Sequence, residues 1–171
     1  MAEYKFSNRR IFIKKIVLAG VSIPLLNSFS FLNKKTRSKK ITILHTNDMH
    51  SHIDSFPENH SRHPGMGGMR RVASLVKKIR SEEKNVVLID AGDVFQGTPY
   101  FNKFKGSLEL KIMSSMGYIA STMGNHDFDN GINGFNNVLH HANFPFICSN
   151  YDFSKTPLKN KTVKFLIKEI D

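Results

Sequence analysis

Cysteine is almost missing from this chain: Cys148 stands alone among 171 residues. An intrachain disulfide is excluded, and Cys148, set in the apolar run Phe146-Ile147-Cys148, reads as an inert core thiol. Acidic residues are almost missing from the first forty positions, which hold ten Lys and Arg against one acid. The formal net charge of +11 therefore belongs mostly to that segment, because residues 41–171 carry fifteen basic and thirteen acidic residues, a net of +2. Nucleic-acid binding needs Lys and Arg clustered on a folded surface, where they neutralise phosphates. A nearly neutral body excludes that class. Internal repeats are lacking, and so are long apolar runs. The run Ile16 to Leu32 has 17 residues and is softened by Ser22, Pro24, Asn27, Ser28 and Ser30. That is the low edge of what spans a bilayer.

The first forty residues do contain a basic flank ahead of that run. Ser7-Asn8-Arg9-Arg10-Ile11-Phe12-Ile13-Lys14 resembles the twin-arginine export motif, with one position inserted after the serine and Ile in place of Leu. A basic flank before a modestly apolar segment fits the h-region of a signal peptide. Residues 1–40 are expected to be a twin-arginine-like signal with a basic linker, Asn33 to Lys40, that sends the protein to the periplasm. An N-terminal membrane anchor is the alternative, because Ser28-Phe29-Ser30 is a weak substitute for an Ala-x-Ala cleavage site.

The body, residues 41–171, alternates between two periods. Ile41–His45, Val86–Asp90, Tyr118–Met123 and Phe146–Ser149 are short apolar runs that predict strands, and the unbroken run at Val86 predicts burial on both faces. Val163, Phe165 and Ile167 alternate with Lys164, Leu166 and Lys168, predicting a strand with one wetter face. Met69, Val72, Leu75, Val76 and Ile79 recur at helical spacing and predict a helix from Met69 to about Glu83. Ser107 to Met116 reads as a helix, with Ser107 as N-cap and Gly117 as C-cap. A further helix is expected around Ile132–His141, and a long loop over Ser51–Gly68. Strand-helix alternation predicts an α/β fold with a mainly parallel sheet and helices on both faces.

Three of these strands end in groups able to hold a metal: Asp48-Met49-His50, Asp90-Ala91-Gly92-Asp93 and Gly124-Asn125-His126-Asp127. The carboxyl ends of strands are where open α/β sheets build their sites. A lone Asp-x-His is weak; three blocks in order, about 30–45 residues apart, are a strong signal. Each residue also has a plain structural reading. Asp48 and His50 can cap a strand, Asp93 can serve a turn, Asn125 can adopt a left-handed turn, and Asp129 can cap the next helix. Asp90 reads as structural and Gln96 as a loop hydrogen-bonder. His45 reads as a bonded core residue, His60 and His63 as solvated, and His140 and His141 as partners of a helix C-terminus. His52 competes with His50.

The blocks Leu44-His-Thr-Asn-Asp48-Met-His50, Gly92-Asp93 and Gly124-Asn125-His126-Asp127-Phe128-Asp129 resemble those of the calcineurin-type metallophosphoesterases. Gly67-Gly68-Met69-Arg70-Arg71, Asp90-to-Thr98 and Phe144-Pro145-Phe146 resemble the exported 5′-nucleotidase branch. The resemblance covers residues 41–171. It implies a metallophosphoesterase-type β-sandwich flanked by helices, of which this chain is the N-terminal part. It implies two divalent ions (Mn, Zn or Fe), which share Asp93 and a hydroxide that attacks phosphorus in line. Asp48 and His50 would bind one ion and Asn125 the other. His126 would stabilise the transition state and protonate the leaving oxygen, with Asp129 holding its ring. The family's later Gly-His and Gly-His-x-His segments have no counterpart before Asp171, so the site is expected to be incomplete and this fragment alone inactive.

The expected substrate is a small phosphorylated molecule such as a nucleotide, with membrane contact only through the leader. Three other readings compete. One is a non-catalytic fragment that binds metal or phosphate. Another is a related hydrolase of cyclic phosphodiesters or sulfur compounds. The last is a membrane-anchored structural protein, which would bind no metal.

Overall fold

The computed structural model describes residues 38–170. The twin-arginine-like motif and the apolar run lie outside the described residues. No helix among the described residues is long and apolar enough to cross a membrane.

Two strands form the root of the sheet. Strand β1, Thr42–Thr46, pairs in parallel with β2, Val86–Asp90, in a register that sets Leu44 beside Leu88 and Thr46 beside Asp90. Helix α1, Met69–Glu82, connects them. A short helix α2, Pro99–Phe104, and helix α3, Ser107–Met116, follow β2. A one-turn 3-10 segment, His126–Phe128, leads into α4, Gly131–Val138. Leu139–His141 adds a second 3-10 turn.

Three of the expected strands are reduced to single rungs. Ala120 bridges Ile89, Phe146 bridges Ser121, and Val163 bridges Ile147, all in parallel. The neighbouring order of these segments extends the sheet beyond β2, as the alternating pattern requires, but none forms a run of ladder bonds. Beyond Val163 the alternating residues stay outside: Phe165 is 72% and Ile167 80% exposed.

One face of the sheet carries the core. Leu88, Met69 and Val76 of α1, Leu110 and Met113 of α3, and Phe135 and Val138 of α4 are all buried in one cluster. A chain of ring contacts runs through it, Phe101–Phe95–Phe135–Phe146–Phe144–Tyr118, with centroids 5.1–6.2 Å apart. Offset and edge-on contacts at such spacings add to the gain from burial. The guanidinium of Arg80 ties α1 to the end of α3 through the carbonyls of Met116 and Gly117.

The other face is open among the described residues. Period two sends Ile43 and His45 outward, and Ile43 is 63% exposed. An apolar groove of about 410 Å³, lined in part by Ile89, Ala120 and Ile147, continues that face. This corrects two expectations. The described residues cover one face of β2 rather than both, and His45 lies on the outer face rather than in the core. They supply one sheet of the expected sandwich. Leu75 also departs from its pattern, being 57% exposed on α1. The N-cap of α3 is Gly106, at φ 98°, with Ser107 as its first residue; Gly117 closes the helix, at φ 74°.

Candidate metal centre

The parallel pairing does not stop where the strands stop. The backbone N–H of Asp48 donates to the Gly92 carbonyl (2.9 Å), His50 to Asp93 (3.1 Å) and Ser51 to Val94 (2.8 Å). The two loops therefore leave the sheet side by side, and the bonded strip carries Asp48, His50 and Asp93 at one edge. One donor atom from each of these three side chains lies within 4.8 Å of the other two. His50 Nε2 stands 3.7 Å from Asp48 Oδ1, and both side chains keep solvent access, at 31% and 58% exposure.

The local backbone is unusual. Asp48 (φ 51°), His50 (φ 44°) and Asp93 (φ 54°) all adopt left-handed conformations without being glycine. Each costs about 1–2 kcal/mol, so the surroundings must over-determine them. Close approach adds a second constraint. A Cβ on Gly124 would lie 2.0 Å from Asp93 Oδ1, and one on Gly97 would lie 2.8 Å from the His50 carbonyl oxygen. Only glycine leaves Asp93 its place.

Beside this triad stands His126. Its backbone N–H donates to Asp93 Oδ1 at 2.9 Å. Its ring lies edge-on to that of His50, 5.2 Å between centroids. Its Nδ1 is 2.8 Å from Asp129 Oδ2. The bond to Asp129 raises the imidazole pKa above its ordinary value, and the same bond holds the Asp129 carboxyl below the usual range. Asn125 immediately precedes this residue and heads the 3-10 turn, its carbonyl accepting from the Phe128 N–H at 3.2 Å. Asp129 faces His126, and the cap of α4 is Asn130.

Of the two neighbouring histidines, only His50 joins the candidate cluster. His52 packs its ring 4.5 Å from Phe56, and it has no place in the triad. His60 and His63 stack near the same phenylalanine in the long loop. Asp90 is buried below the site. It accepts from Thr46 Oγ1 (2.7 Å), Ser121 Oγ (2.9 Å) and the Gly92 N–H (2.9 Å), and burial raises its pKa. The Tyr118 hydroxyl completes that network, 2.9 Å from Thr46 Oγ1.

Sequence reasoning assigns Asp127 no role. Its carboxylate is 1% exposed and accepts four backbone N–H bonds, from Asp93 (3.0 Å), Val94 (3.0 Å), Phe95 (3.0 Å) and Gly124 (2.8 Å). Desolvation pushes its pKa up to about 6, while the amide bonds pull it down.

The donors fit a divalent ion of intermediate softness. Two carboxylates and an imidazole suit manganese, zinc or iron and do not select among them. The partial exposure of Asp48 and His50 leaves an open side, as a catalytic rather than a closed structural site requires.

Known proteins are similar to this chain across the same residues. The calcineurin-like phosphoesterase family matches residues 41–170. The chain is 42% identical over 117 residues to a snake venom 5′-nucleotidase of Crotalus adamanteus, covering 66% of this chain and 20% of that protein. It is 41% identical over 130 residues to the 5′-nucleotidase of Bos taurus, covering 73% and 22%. Among solved structures, the 5′-nucleotidase precursor from Thermus thermophilus superposes with a TM-score of 0.65 at 35% identity, over 72% of this chain and 25% of that one. The chain thus spans about a fifth of the length of the curated relatives it matches. Matched over its whole described sheet and through all three of its motif blocks, the chain belongs to the calcineurin-like phosphoesterase family.

Proposed function

We propose that this chain carries metal-binding and proton-transfer groups of an exported phosphoester hydrolase acting on small phosphorylated molecules, nucleotides foremost. The observation that carries the reading is the convergence of Asp48, His50 and Asp93 beside the His126–Asp129 pair. The relatives named 5′-nucleotidases support the substrate class.

In this reading Asp48, His50 and Asp93 would hold one divalent ion, and Asp93 and Asn125 would contribute to a second. Bound metal supplies Lewis acidity toward the phosphate and a nucleophile at neutral pH. The chain's own groups supply the rest. His126, whose pKa is raised by its bond to Asp129, lies edge-on to His50 and would give its proton to the leaving oxygen. Asp129 holds the ring tautomer that makes this possible. The described residues offer a three-donor cluster to one ion and only Asp93 and Asn125 to the other. We therefore expect residues 41–171 alone to bind at most one ion tightly and to hydrolyse phosphoesters poorly or not at all.

Metal analysis after dialysis against Mn²⁺ or Zn²⁺, with phosphate release from a 5′-nucleotide, tests the site. About one tightly held ion is expected, lost in Asp48→Ala and His50→Ala. A chain that holds no ion would end the reading. Export is tested by replacing Arg9 and Arg10 with Lys. Retention in the cytoplasm of a host with twin-arginine machinery is expected, and unchanged export would show the motif to be accidental.

A further inference from the structure

The segment Gly92–Phe95 is bonded along both of its edges. Its carbonyls, from Gly92, Asp93 and Val94, accept from the N–H groups of Asp48, His50 and Ser51. Its N–H groups, from Asp93, Val94 and Phe95, all point at the carboxylate of Asp127. That carboxylate also takes the Gly124 N–H, and the next residue but one, His126, donates its own N–H to the Asp93 side chain. A single buried carboxylate therefore anchors the strip from which Asp48 and His50 hang and to which Asp93 belongs.

This arrangement needs a reason. Burying a carboxylate costs several kcal/mol unless its lone pairs are satisfied. A turn needing only structural support can be closed by backbone bonds or by a neutral side chain. A carboxylate with two oxygens, each accepting two amides, does something more: it holds three consecutive peptide planes in one orientation. It also stabilises the left-handed φ of Asp93 against the extended conformers that the residue would otherwise prefer. Groups that orient metal ligands without touching the metal typically change affinity by about 10–100-fold when removed.

Resting on the metal reading above, we infer that Asp127 is a positioning residue that sets the metal affinity of the Asp48–His50–Asp93 site, by fixing the one peptide strip that all three ligands share. It touches neither metal nor substrate. Its effect passes through backbone amides.

Asp127→Asn is the direct test. Whichever way the amide is flipped, its NH₂ faces two N–H donors, so one pair of bonds is lost while volume is kept. The full chain is titrated with Mn²⁺ and with Co²⁺, and folding is checked by circular dichroism. The expected result is a Kd raised by about 10–100-fold and an altered visible Co²⁺ absorption. Leu110→Ala, at a fully buried position in α3, is the control: it lowers stability but leaves Kd and the Co²⁺ spectrum as they were. Unchanged affinity and spectrum in Asp127→Asn, with tight binding in the parent chain, would overturn the positioning role alone. No binding in the parent chain would overturn the metal reading, and this inference with it. Should the variant fail to fold, hydrogen exchange on the parent chain decides. Linkage is reciprocal, so added metal must slow the amides of Asp93, Val94, Phe95 and Gly124 more than those of Phe135 and Val138 in α4. Equal slowing at both sets would refute the inference.

Discussion

The turn from Gly124 to Asp129 treats a carboxylate in opposite ways on its two sides. On the inner side Asp127 is sealed from water, grips four amides and has its pKa pushed up by burial. On the outer side, two residues away, Asp129 is exposed, bonds one imidazole and has its pKa held down. Both belong to the same short motif. The inner carboxylate binds backbone amides and the outer one binds an imidazole. The difference follows from which way each residue faces, not from its chemistry.

Four changes break or sharpen that comparison. The largest effect is expected at His126, the outer acid. In a longer chain that completes the site, His126→Ala should lower phosphoester turnover by about 10²–10⁴-fold and leave metal content as it was. Phosphate release read beside metal analysis checks this, and a parallel fall in both would merge the two sides. Next comes the inner side itself. Asp127→Asn should lower the unfolding free energy of metal-free protein by about 2–4 kcal/mol, seen as an earlier denaturant midpoint.

Glu109 provides the sharpest contrast. It too is a fully buried carboxylate, but both of its oxygens lack a hydrogen-bond partner among the described residues. Without donors, burial is only a cost. Glu109→Leu should therefore stabilise the fold, by about 1–2 kcal/mol, where the matching change at Asp127 would be ruinous. A loss of stability on that substitution would mean that Glu109 has a role beyond its place in the core.

The smallest change in stability is expected from Asp129→Asn, within about 0.5 kcal/mol because the site is solvated. Its signature is in the pH profile instead. Asp129 raises the pKa of His126. An imidazolium acid is active below its pKa and is lost as pH rises through it. Removing the carboxylate lowers that pKa, so the alkaline loss of activity should move to lower pH.

How much of this was legible in the sequence varies with the range of the interaction. Helix α1 was legible because its apolar residues recur every three or four positions, and α3 because Gly117 ends it. Strands β1 and β2 were legible as apolar runs. The later runs gave only single rungs, since pairing depends on a neighbour that no local pattern encodes. Strand period two, with Leu44 facing the core, puts His45 on the outer face, which an unbroken apolar run does not reveal. Helix α2 was missed although Thr98-Pro99, a proline just inside a helix start, signals it. The candidate triad was legible as types and spacing, whereas its convergence depends on the pairing of two loops. Asp127 was not legible as an anchor because its partners are backbone amides up to 34 residues away, and an amide has no letter of its own.

The hydroxyl chain Tyr118–Thr46–Asp90 has a practical consequence. The chain has no tryptophan and four tyrosines. Tyr118 is buried, with its phenol bonded to Thr46 beneath the loops of the candidate metal centre. Its emission is not swamped by indole, although three other tyrosines share the signal. Ion loading that altered this bond would change tyrosine emission from the root of the candidate site, read without any added dye.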